Sequence, residues 1–195
     1  MKKPYSLLII ASIAILASCS SQTNKKAGAN DFDPTQYKYN NQMELAKAFM
    51  ASLASNDTAS IMQQYEITDE VISYAETVCD FYPQDSLPLG KKIEKVRKQL
   101  DEQIRNVWGP TLRNLVKKIA AANIDLSTST ITVDTIPSKS FHGSKSLLTG
   151  EVLYHILTKD QKDHKLSMYE LIRVKNKWFI LTPVWDLDGE AVHNR

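Results

Sequence analysis

The sequence predicts an α+β domain, helices first and an antiparallel sheet of about four strands afterwards. Three observations predict it. Apolar residues recur at helical spacing up to Asn123, and from Ser127 the period changes to two. Two of the later apolar runs meet at Lys175-Asn176-Lys177, which reads as a tight hairpin.

The helices come in order. Met43, Ala46, Phe49, Met50 and Leu53 form one apolar stripe. Ser55-Asn56-Asp57 interrupts it, and Ile61, Met62 and Tyr65 resume it in a short second helix. Thr68 followed by Asp69 and Glu70 is an N-cap with acids that suit the helix dipole. Val71, Ile72, Ala75 and Val78 give that third helix its apolar face, and Pro83 and Pro88 bracket a loop. Ile93, Val96, Leu100, Ile104 and Val107 make a longer stripe, which Gly109-Pro110 is expected to break before Leu112, Leu115, Val116 and Ile119 continue it.

The strands are expected at Ser127 to Ile136, Lys145 to Leu157, Leu166 to Lys175 and Lys177 to Val184. Asp186-Leu187-Asp188-Gly189-Glu190 reads as a polar turn after the last strand rather than a calcium loop, because the first ligand position would fall on Val184.

The N-terminus carries an address. Lys2 and Lys3 precede an apolar run from Leu7 to Ala17, interrupted by Ser12. That run is shorter than the roughly 20 residues of a spanning helix, so a cleavable signal peptide over residues 1–18 is expected. Leu16-Ala17-Ser18-Cys19 resembles the lipobox of bacterial lipoproteins. The resemblance implies lipid attachment at Cys19, palmitate among the acyl chains, and cleavage just before it. Several acyl chains hold a protein stably, at about 0.8 kcal/mol per buried methylene. Ser20 rather than Asp follows the Cys, which by the same resemblance points to the outer membrane of a Gram-negative envelope. Residues 19–41 have the composition of a polar tether, able to span roughly 70 Å at about 3.3 Å per residue, and residues 42–195 form the domain.

Removing residues 1–18 takes away two of the 24 basic residues and none of the 22 acids, leaving the mature chain formally neutral. A neutral chain has little electrostatic case for nucleic acid. Cys79 is left alone once Cys19 is acylated, and beside Val78 and Phe81 it reads as a small buried hydrophobe.

Phe49 to Tyr65 (FMASLASNDTASIMQQY) resembles the opening of the nuclear transport factor-like superfamily, of cystatin-type α+β roll. Tyr169 to Arg173 with Trp178 to Leu181 resembles its closing hairpin. The resemblance implies a cone-like curved sheet wrapped on helices, often with a pocket between them. Its members include isomerases, cyclases, dehydratases and lipoproteins without assigned activity, so fold membership leaves function open. The long helical middle from Leu89 to Asn123 departs from the pattern, as does the want of an early strand.

Catalytic signals are thin. His142, His155, His164 and His193 show no i,i+4 pairing, and no Gly-rich phosphate loop or nucleophile elbow is present, so no metal, cofactor or catalytic residue is assigned. Glu151 and His155 share a strand face with Leu153 and Leu157, and Glu170 lies on a neighbouring strand with Ile172. Inside a cone they would make an acid/base pair. On the wet side of the sheet they would be solvated surface, the reading favoured here. Asp57-Thr58-Ala59, Asp85-Ser86-Leu87 and Asp134-Thr135-Ile136 resemble the O-glycosylation acceptors of some Gram-negative envelopes. Tyr154, Tyr169, Trp178 and Trp185 are expected to supply amphipathic aromatic surface for a ligand or a partner. The expected function is a membrane-anchored, non-catalytic module for a small apolar ligand or an envelope protein. The alternatives are an isomerase- or dehydratase-type pocket enzyme, or a structural lipoprotein docking in an envelope complex.

Overall fold

Helix α1 (Gln42–Ala54) starts where Asn41 turns extended and its side-chain oxygen accepts the Glu44 N–H at 2.9 Å, while the Glu44 carboxylate accepts the Asn40 N–H at 2.8 Å. The computed structural model describes residues 34–65, 67–79, 86–141 and 144–192. The signal peptide, Cys19, most of the tether, Pro83, Asp85, His142 and His193 lie outside the described residues, as does the side chain of Cys79.

The expected interruption at Ser55-Asn56-Asp57 is present and has a mechanism. Asn56 turns left-handed (φ 56°), its N–H returns to Leu53 O, and the Asp57 N–H returns to Ser52 O, closing a Schellman motif. Asp57 then caps α2 (Thr58–Gln63) through the Ser60 N–H at 3.0 Å, so one tripeptide stops a helix and starts the next. Helix α3 (Asp69–Cys79) begins at Thr68 as expected, whose hydroxyl oxygen accepts the Val71 N–H.

The expected break at Gly109-Pro110 does not occur. Helix α4 (Leu89–Gln103) runs through a π-helical turn (Ile104–Trp108) into α5 (Gly109–Ala121), with Gly109 at ordinary helical angles. Pro110 has no N–H for an i→i−4 bond, and its ring crowds the preceding turn. Widening that turn, so that the Gly109 N–H reaches Ile104 O, accommodates it without ending the helix. A second Schellman motif ends α5, with Asn123 at φ 55° and the Ile124 N–H on Ile119 O.

Among the described residues five strands, rather than about four, follow in one antiparallel sheet of sequential order: β1 (Thr130–Phe141), β2 (Ser144–Leu157), β3 (Asp163–Val174), β4 (Lys177–Leu187) and β5 (Glu190–Val192). The additional strand follows from Asp188-Gly189. Both residues take positive φ (55° and 82°), as a two-residue hairpin turn requires, so the segment read as a terminal polar turn sends the chain back along β4. Lys175-Asn176 makes the same kind of turn between β3 and β4, at φ 44° and 66°. The start of β1 lies three residues later than Ser127, because the Asp125 carboxylate accepts from Ser127 N–H and from the Ser127 and Thr128 hydroxyls, holding that stretch as a turn. Those hydrogen bonds keep the Asp125 carboxyl below the usual carboxylate range.

The sheet has two unlike faces. On the first, Tyr154 of β2, Met168 of β3, and Ile180 and Trp185 of β4 pack against Leu45, Phe49 and Leu53 of α1 and Leu115 and Ile119 of α5. Alternation puts Leu147, Ile172, Val174 and Phe179 on the second face, where Val71, Ile72 and Ala75 of α3 and Val96 of α4 cover them. That cover ends part-way along. The same face of β1 and β2 beyond it carries Asp134, Ile136, Glu151, Leu153, His155 and Leu157, all exposed or half-buried.

The outer edge of β4 is also occupied. Trp178 N–H donates to Tyr39 O at 3.0 Å and Ile180 N–H to Gln64 O, while β5 covers the other half. The Tyr37 ring meets Phe179 edge-on with centroids 5.4 Å apart, and its hydroxyl bonds Thr68. Residues 37–40, which composition places in the tether, thus lie against the domain. Gly150 has a structural reason as well: a Cβ there would fall 1.8 Å from Gln42 Nε2 and 2.9 Å from the Trp178 ring, so α1 sits directly on β2.

Candidate functional site

Three features place a cleft between α2 and α4. The Asp57 cap starts α2 directly after α1, Tyr65 and Ile67 stand between α2 and α3, and the π-helical turn after α4 carries Ile104 and Trp108 at its two ends. The cleft holds about 350 Å³ and is lined by Ala59 and Met62, by Tyr65 and Ile67, and by Arg97, Leu100, Asp101 and Ile104. Its walls are mainly apolar, with one cation and one carboxylate. Arg97 is held by Asp69, Nε to Oδ1 at 2.8 Å, and by Ile67 O, which accepts from Nη2. This tie fixes the guanidinium and joins α4 to the start of α3.

Behind the cleft lies an aromatic interior. The Tyr65 ring tilts against Trp108 at 4.9 Å, and Phe49 stacks on Trp185 at 5.8 Å. Tyr154 donates its hydroxyl to Ala46 O at 3.1 Å. The Tyr65 hydroxyl and Trp185 Nε1 are buried without a hydrogen-bond partner. Burial pushes both phenols well above their ordinary 10.0, and the nearby Tyr154 adds to the effect on Tyr65. Neither phenol ionises near neutral pH. They offer a donor and an acceptor, not a base.

The sequence-expected acid/base residues stand elsewhere. His155 Nε2 lies 3.4 Å from Asp134 Oδ2, across the β1–β2 ladder on the open half of the second face. Glu151 shares that face, and Glu170 sits at the β3 irregularity with φ 57°. None of them lines the cleft. A second dyad went unseen in the sequence. His164 Nδ1 is 2.7 Å from Asp188 Oδ2, and Asp188 Oδ1 accepts the Lys165 N–H at 2.7 Å. Burial works to raise the Asp188 pKa, but these hydrogen bonds prevail and hold the carboxyl below its usual value. The pair pins the β4–β5 turn to β3. No residue within 23 positions of His164 pointed to it, since the Asp188-Gly189 turn is what brings the two together.

One expectation needs correcting. Tyr154, Trp178 and Trp185 are not amphipathic surface but core, at 0%, 5% and 1% exposure; Tyr169 alone of the four is half-buried. The residues that do form the cleft, Tyr65, Arg97, Leu100 and Ile104, were legible only as helical stripe and polar flank. Of the glycosylation-like triplets, Asp57-Thr58-Ala59 is a helix cap and Asp134-Thr135-Ile136 lies within β1. Among the described residues no group of three metal-ligating side chains gathers, and no helix is long and apolar enough to cross a membrane. The chain matches no family model, no curated protein and no solved structure.

Proposed function

We propose that this protein is an envelope lipoprotein, anchored through lipid on Cys19, whose domain is a non-catalytic module that binds a small apolar ligand in the α2–α4 cleft. The anchor rests on the charge, apolar run and lipobox of residues 2–19. The outer membrane rests on Ser20 following the Cys. The cleft carries the binding reading: Met62, Ile67, Leu100 and Ile104 form a concave apolar wall, with Arg97 at hand for an anionic or polar end. The fold is read as a roll of the nuclear transport factor-like kind. The register shifts at Gly150/Val152 and Tyr169/Leu171 support it, since such irregularities bend strands. The isomerase or dehydratase alternative has less support, because His155 and Glu151 do not line the cleft.

Binding is tested with a series of straight-chain alkyl carboxylates of increasing length, titrated by calorimetry. Each added methylene should tighten binding about fourfold, from about 0.8 kcal/mol per buried CH₂, until the cleft is full. Leu100→Arg should abolish binding in a protein that stays folded. Affinity that is flat with chain length would dismiss the cleft as a ligand site. A second reading, docking of another envelope protein on the open half of the sheet, rests on exposed Ile136 and Leu157. Leu100→Arg separates the two, since it leaves that face untouched. For the anchor, Cys19→Ala should leave unprocessed precursor that takes up no palmitate label.

A further inference from the structure

We infer that the end of the sheet from which the N-terminal segment departs is a docking face for anionic phospholipid headgroups. The ladders bring to this one end the last residues of β1, the first of β2, the last of β3 and the first of β4, through the pairs Lys139↔Thr149, Leu147↔Val174 and Val174↔Lys177. Residues 38–40 join them, since Tyr39 O accepts the Trp178 N–H and Asn40 Oδ1 accepts from Lys177 Nζ at 2.6 Å.

The two ends of the sheet differ in charge. The departing end gathers Lys38, Lys139, Arg173, Lys175 and Lys177, and its strand segments 139–141, 144–149 and 173–179 contain no acid. Among the described residues the acids brought near are Glu44, which accepts the Asn40 N–H, Glu70, two residues beyond Thr68, and Glu151, two residues along β2 from Thr149; Asp69 is already paired with Arg97. At the opposite end stand Asp125, Asp160, Asp163, Asp186, Asp188 and Glu190. The lysines interspersed there are Lys159, Lys162 and Lys165, and Lys118 reaches the same end from α5 to pair with Glu190 at 3.1 Å. The mature chain is formally neutral, so this is a separation of charge along the sheet and not an excess of it.

The polarity matches the direction of the anchor, and here the inference rests on the lipoprotein reading. Fourteen residues lie between Cys19 and Pro34, so the gap is at most about 50 Å of extended chain, and the segment they lead into runs along the β4 edge to the basic end, Tyr37 at Phe179 and Asn40 at Lys177. Attraction of basic residues to anionic lipid fades within a Debye length, about 8 Å at physiological salt, so it acts only on the end that the anchor keeps near. Facing the membrane with this end turns the acidic end and the β4–β5 turn outward.

The test uses the full lipidated chain on vesicles of phosphatidylcholine alone or mixed with phosphatidylglycerol. Flotation with the neutral vesicles reports the anchor. Lysine acetylation, read residue by residue by mass spectrometry, reports docking. Lys38, Lys175 and Lys177 should react several-fold more slowly on the anionic vesicles than on the neutral ones, and high salt should erase the difference. Lys159 and Lys162 should react alike on both. The double variant Lys38→Glu with Lys139→Glu, checked for fold by circular dichroism, should return Lys175 to its neutral-vesicle rate. Equal rates on both vesicles, in a chain that floats, would overturn the docking face. A chain that fails to float on neutral vesicles refutes the anchor instead. Flotation on anionic vesicles then still decides the docking: its presence supports the face and its absence overturns it.

Discussion

The two faces of the sheet are built from the same strands, yet one is buried along its length and the other only over the β3–β4 hairpin end. The first face carries the large aromatics, Phe49 against Trp185 and Tyr65 against Trp108. The second carries aliphatics and Phe179 under α3 and α4, then opens onto the Asp134–His155 pair. The difference teaches where chemistry has a place in this fold. Around the aromatic core the buried groups that could titrate are phenols, which do not ionise near neutral pH, whereas the buried carboxylate of Glu76 on α3 lies 3.5 Å from Lys92 Nζ of α4.

The contrast is broken most severely at Gly150. Gly150→Ala drives a methyl group into Gln42 and the Trp178 ring on the covered face, and should cost about 1–3 kcal/mol in urea unfolding. Truncating Gln42 to Ala in that background should recover part of the loss, as coupled neighbours do. A neutral Gly150→Ala would mean that α1 does not seat on β2 in this way.

A smaller effect separates two buried phenols. Tyr154→Phe removes the hydrogen bond to Ala46 O and should cost about 1 kcal/mol. Tyr65→Phe removes a hydroxyl that has no partner, and should be neutral or slightly stabilising. Thermal unfolding of the two variants side by side checks this. If Tyr65→Phe were the costlier change, its hydroxyl would be satisfied by water or ligand in solution.

The smallest effect belongs to the open half. His155→Ala should shift stability by no more than about 0.5 kcal/mol and leave ligand binding as it is. Loss of cellular function in a folded His155→Ala, repeated by Glu151→Gln, would replace the binding module with an acid/base enzyme.

Local chemistry made much of this architecture readable. Asn41, Asp57 and Thr68 cap helices by bonds within a few residues, and Lys175-Asn176 turns a hairpin by its own backbone preference. The period-two pattern likewise put Glu151 and His155 together on one face. What stayed hidden depends on partners far along the chain. Whether that face was wet or enclosed was decided by where α3 and α4 end. Asp188-Gly189 was a hairpin turn in plain view, but a three-residue strand after it has too few positions to show a period. Gly109-Pro110 reads as a break in any local accounting, and only tertiary packing of Trp108 and Leu112 on the core carries the helix past it. The cleft was the least legible feature, because it is the space that three separately readable segments leave between them.

The contact of Tyr39 with the β4 edge has a mechanical meaning. Any pull through the N-terminal segment reaches Tyr37 on Phe179 and the Tyr39–Trp178 hydrogen bond before it reaches α1. These contacts lie in series, so they open one after another like a zip rather than sharing the load. Freeing residues 34–40 in this way would lengthen the leash by about 20 Å, at about 3.3 Å per residue, and leave the sheet intact. The segment is thus a mechanical fuse, yielding slack ahead of the domain it holds.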